Sequence, residues 1–112
     1  MVKTKDQVKL NPKASFYAVL YQDFRKVAIE CGYALAIHGT MTNDMDLLAV
    51  AWTEEAVNPI ELVKKLNDRI GDTVWHEHNL TTAGKKPHGR IAYTLSIMGD
   101  WYIDLSVIPP KR

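Results

Sequence analysis

The sequence is poor in cysteine, in excess charge and in long apolar runs. Its single cysteine, Cys31, excludes a disulfide within the chain. It points to a reducing compartment, so a cytoplasmic protein is expected. Lys and Arg number 14 against 13 Asp and Glu, a formal net charge of +1. That balance excludes a general basic coat for nucleic acid and leaves room only for a local basic patch. No apolar stretch nears the roughly 18 residues that span a bilayer, so no membrane partner is expected. The first ten residues, MVKTKDQVKL, lack the apolar core and cleavage site of a signal peptide.

What is there reads as one folded domain. Hydrophobic residues make up 46% and charged residues 24% of 112, ordinary for a globular protein. A domain of this size holds one core and one surface cleft. Chemistry on several substrates therefore calls for a partner subunit or a homodimer.

Residues 1–14 are polar and lysine-rich and read as a mobile N-terminal arm, ahead of a single domain over 15–110. Ser15 is placed to cap a helix over 16–31, whose stripe is Phe16, Val19, Leu20, Phe24, Val27, Ala28 and Cys31. Gly32 stops it. Tyr33 to His38 is a short apolar strand. After a turn, Met45 to Trp52 reads as a central strand covered on both faces. Asn58, Pro59 and Glu61 start a second helix, with Ile60, Val63, Leu66 and Ile70 as its buried face. Residues 73–78 suit an edge strand and 79–89 a loop. Arg90 to Met98 and Trp101 to Ile108 form a hairpin around Gly99-Asp100. The fold class is α+β: a mixed sheet of about five strands with helices packed on one face.

The chemistry concentrates in carboxylates. Asp44 and Asp46 stand two residues apart at the mouth of an apolar strand, so their side chains share one face. Two carboxylates so close repel each other and favour a cation between them. Their oxygen ligands suit Mg²⁺ or Mn²⁺, with substrate phosphates completing the shell. Asp104 lies inside a strand, between Ile103 and Leu105, where Asp is disfavoured. It completes a three-carboxylate cluster if its strand neighbours that of Asp46. Gly39 lets backbone N–H groups approach a phosphate, and the Thr40 hydroxyl adds a donor.

A strand ending in Gly-Thr, then Asp44-Met45-Asp46-Leu47, then Tyr102-Ile103-Asp104-Leu105 resembles the nucleotidyltransferase superfamily, with its DNA polymerase β-type fold. The small stand-alone members, the minimal nucleotidyltransferases, are similar in size. The resemblance covers residues 15–108. It implies phosphate binding at Gly39 and Thr40, and metal binding and catalysis at Asp44, Asp46 and Asp104. The implied reaction moves a nucleoside monophosphate from an NTP to a hydroxyl acceptor that the sequence does not identify. The stretch between Thr40 and Asp44 is shorter than in many members, Thr replaces the usual Ser, and no clamp domain follows the sheet. Those departures favour an alternative: an inactive nucleotidyltransferase-like scaffold that binds a protein partner, such as a phage-type inhibitor. The sequence is also similar in character to small phage and prophage proteins.

Around Pro87 stand Lys85, Lys86, His88 and Arg90. They read either as a solvated loop or as cations over the triphosphate, with Lys86 and Arg90 as the candidate phosphate ligands. His76 and His78 read as a surface strand and His38 as a structural histidine. Trp52, Trp75 and Trp101 read as core or interface residues.

Overall fold

The computed structural model describes residues 12–39, 41, 44–70, 84, 85, 89–98 and 101–111. Helix α1 spans Pro12–Glu30 and strand β1 spans Tyr33–His38. Strand β2 (Asp44–Ala51) and helix α2 (Pro59–Ile70) follow. Strand β3 (Gly84–Lys85), β4 (Ile91–Met98) and β5 (Trp101–Ile108) complete the chain. The expected strand at 73–78 and the turn at Gly99-Asp100 lie outside the described residues, as do residues 1–11 of the expected arm.

The fold is α+β, with four long strands in one mixed sheet and a two-residue strand at its edge, in the order β1-β2-β5-β4-β3. β2 and β5 run parallel at the centre, while β1 pairs with β2 and β4 with β5 antiparallel. Both helices contact the sheet. Alternation sorts each strand. Met45, Leu47 and Ala49 of β2 are buried, as are Ile103, Leu105 and Val107 of β5. Tyr93 and Leu95 of β4 join them, with Tyr33 and Leu35 of β1. The other face of β2 is only half-buried at Leu48 and Val50, so the expected double coverage is incomplete.

Helix α1 begins at Pro12, ahead of the expected Ser15 cap. Proline suits the first turn because its missing N–H has no helical acceptor there. The buried stripe is Tyr17, Phe24, Ala28 and Cys31, flanked by Leu20, Tyr21 and Val27. Val19 is 72% exposed and Phe16 lies at the rim, so the expected stripe is rotated toward Tyr17. Phe16, Tyr17 and Lys13 gather over Trp101, with ring centroids 5.5 and 6.1 Å away and the Lys13 ammonium 5.6 Å from the ring. That cluster ties the start of α1 to the start of β5.

In α2, Leu62, Val63, Leu66 and Asn67 are buried and Ile60 is exposed, again a rotation of the expected face. The carbonyl of Asn58 accepts the first helical N–H, from Leu62, at 3.1 Å, which places Asn58 at the N-cap. Arg69 clasps Asp23 of α1 through two hydrogen bonds of 3.0 and 2.5 Å. The Arg69 guanidinium holds the Asp23 carboxyl below its ordinary value.

The joint between α1 and β1 is locked to the loop before α2. Trp52 N–H donates to the Gly32 carbonyl at 3.0 Å and Val57 N–H to the Cys31 carbonyl at 3.0 Å. The buried Tyr33 hydroxyl donates to the Val57 carbonyl at 2.6 Å. Tyr33→Phe keeps the ring and strips that donor, so stability falls by about 1–2 kcal/mol, measured by urea unfolding. No helix among the described residues is long and apolar enough to cross a membrane.

Candidate active site

The parallel pairing of β2 with β5 creates the site. Asp46 is the register partner of Asp104, and register partners present their side chains on the same face. Asp46 also stands opposite His38 of β1, and Asp104 opposite Thr94 of β4. One row therefore crosses four strands: His38, Asp46, Asp104, Thr94. Asp44, Tyr102 and Ser96 form the next row toward the strand starts. Ala36, Leu48, Ser106 and Ala92 form the next row inward. All of these lie on the face opposite the buried core.

The electrostatics confirm the crowding. The Asp104 carboxyl is held above its ordinary value, first by burial, then by the charges of Asp44 and Asp46. A hydrogen bond to Asp46 favours the protonated form further, while Thr94 pulls the other way. The Thr94 hydroxyl donates to Asp104 Oδ1 at 3.4 Å, a long contact. The strand register alone brings Asp104 to the pair at Asp44 and Asp46, though they are 58 residues apart at the closest.

Gly39 closes the row at the end of β1. Its φ is +82°, and a Cβ there would stand 3.0 Å from Asp46 Oδ2. The left-handed backbone favours glycine, and an added Cβ would press on the end of the Asp46 side chain. Met41 has φ +59° as well, although its side chain packs against the core. A methionine in that region costs about 1–2 kcal/mol, offset here by burial. Backbone strain thus concentrates in the turn beside the carboxylates. Gly39→Ala should displace the Asp46 carboxylate as well as strain the turn. Its expected result is weaker metal affinity than in Gly89→Ala, read by Mn²⁺ titration.

Arg90 does not join the row. It precedes β4, whose first residue Ile91 pairs with Val107, three positions beyond Asp104. Arg90 is four residue steps from Thr94, roughly 13 Å at about 3.3 Å per strand residue. Thr40 and Lys86 lie outside the described residues, as do His76, His78 and Trp75. His38 is exposed on the row and Trp52 is 63% exposed, so Trp52 is no core residue. Thr94 was not anticipated. The hairpin would have pointed to it only if its bulge between Ser96 and Met98 had been visible in the sequence.

Family models, curated proteins and solved structures yield no match to this chain.

The donor set suits a hard divalent cation in chemistry: oxygen-only ligands, with mutual repulsion that a cation would relieve. Among the described residues, no three such side chains have the geometry to hold a metal ion as they stand. Asp46 turns toward Gly39, and Asp104 Oδ1 faces Thr94. Binding would require at least that these side chains turn toward a common point.

Proposed function

We propose that this chain is a metal-dependent nucleotidyltransferase that moves a nucleoside monophosphate from an NTP to a hydroxyl acceptor. The observation that carries the reading is the pairing of Asp46 with Asp104 on adjacent parallel strands, with Asp44 on the same face. Asp44, Asp46 and Asp104 would hold Mg²⁺ or Mn²⁺, which supplies charge neutralisation for the triphosphate. By the resemblance, Gly39 and Thr40 would bind the phosphates, through backbone N–H groups and the Thr40 hydroxyl. The acceptor oxygen attacks the α-phosphorus in line, forming the new P–O bond as the bond to pyrophosphate breaks. Asp104 would help deprotonate the acceptor hydroxyl by holding the metal ion that binds it. Most of the rate comes from positioning and charge placement.

The test is a thermal shift. Mg²⁺ and an NTP together should raise Tm more than either alone, because each stabilises the site that binds the other. No shift with any of the four NTPs would end the enzyme reading for this chain. The second reading, an inactive scaffold that binds a protein partner, draws on the lack of ready three-ligand geometry among the described residues. Under it, Asp104→Asn leaves partner binding intact.

A further inference from the structure

Asp104 has a strand of different chemistry on each side. β2 brings Asp46 alongside it, and β4 brings Thr94. Both neighbours engage the carboxyl group. A hydrogen bond joins it to Asp46, and the Thr94 hydroxyl donates to Oδ1 at 3.4 Å. A neutral donor therefore holds the carboxyl from the flank away from Asp44 and Asp46.

The backbone makes that contact in two steps. The bulge between Ser96 and Met98 shifts the β4–β5 register, so Thr94 and not Leu95 stands opposite Asp104. Alternation then sends Tyr93 and Leu95 into the core and leaves Thr94 on the open face. Threonine suits the place. Its branched Cβ fits a strand and restricts χ1, so the hydroxyl has few orientations. Thr94 and Asp104 are both half-buried, where a hydrogen bond is stronger than in open water. Burial and the charges of Asp44 and Asp46 push the Asp104 carboxyl up, and the Thr94 hydroxyl works against them. A lysine or arginine there would bring a charge that repels a cation. Threonine brings a donor alone.

We propose that Thr94 is a positioning residue for the metal site: its hydroxyl fixes Asp104 Oδ1 and so presents the other carboxylate oxygen to a cation shared with Asp44 and Asp46. The inference rests on the transferase reading for the existence of that cation site. At 3.4 Å the contact is long, as hydrogen bonds within unloaded sites often are; loading the site should tighten it.

The test is Mn²⁺ binding by the full chain with no nucleotide present, read by the paramagnetic signal of the free ion. Thr94→Val keeps the branched shape and removes the donor. It should weaken binding roughly 10- to 100-fold. Thr94→Ser keeps the donor and removes the methyl group, and it should retain most of the affinity. Melting curves establish that each variant is folded. A role confined to packing reverses the order: the valine variant then binds like wild type and the serine variant does not. Equal binding by wild type and Thr94→Val, or an equal loss in both variants, overturns the inference and leaves the metal site standing. No Mn²⁺ binding by wild type removes the site itself, and the inference with it.

Discussion

Asp104→Asn will destroy Mg²⁺-dependent NTP binding while making the metal-free protein more stable at pH 7. Both effects have the same origin. Asp104 faces Asp44 and Asp46 in a partly buried row, and its carboxyl is held above the ordinary value by burial and by their charges. Below the ordinary carboxyl pKa, folded and unfolded chains both carry the proton and nothing is lost. As pH rises, the unfolded chain ionises first, and stability falls until the raised folded value has been passed. The asparagine has no charge to suppress, so its advantage grows as pH rises from 3 to 7. Melting curves at the two pH values measure this. The binding loss should exceed about 100-fold, because even outer partners of metal ligands cost about 10–100-fold when removed. Calorimetry measures that arm. A variant less stable than wild type at pH 7 would mean that the row is structural and not an ion site.

The largest stability effect should come from Gly32→Ala. Gly32 has φ +89°, and a Cβ there would sit 2.5 Å from Thr53 Oγ1 and 2.7 Å from the Ala56 Cα. The second contact is backbone, so no side-chain rotation relieves it. Left-handed strain of about 1–2 kcal/mol adds to overpacking of about 1–3 kcal/mol. The melting temperature should fall by at least about 10 °C. Gly89 is the internal control: φ is +73°, but nothing lies within 4 Å of a Cβ there. Gly89→Ala should therefore show only the left-handed cost. If the two variants unfold alike, the knot of Cys31, Gly32 and Tyr33 against residues 52–57 is not holding α1 to the sheet.

Much of this architecture was legible in the chain. The strand at Tyr33–His38, expected from its short apolar run, and the last strand at Trp101–Ile108 fall where they were expected. The shared face of Asp44 and Asp46 follows from the two-residue period alone. Adjacency of β2 and β5 was stated only as a condition, because parallel partners distant in sequence leave no local trace. The helix faces were rotated because Tyr17 and Leu62 were passed over for Phe16, Val19 and Ile60. Hydrophobicity alone does not separate a rim position from a core one. Thr94 was hidden by the bulge. Without the bulge, a two-residue hairpin turn sets Asp104 opposite Leu95, a core residue. With it, Asp104 meets Thr94 on the open face. Arg90 was read as a candidate phosphate ligand, but the antiparallel register carries it toward the other end of β5.

The most direct test of the carboxylate row as a metal–nucleotide site is isothermal titration of the protein with each NTP, with and without Mg²⁺. Wild type and the Asp44→Asn/Asp46→Asn variant are titrated in parallel. The account predicts metal-dependent binding in wild type and none in the variant. Binding that survives the double substitution, or no binding by a folded wild type in any condition, contradicts it.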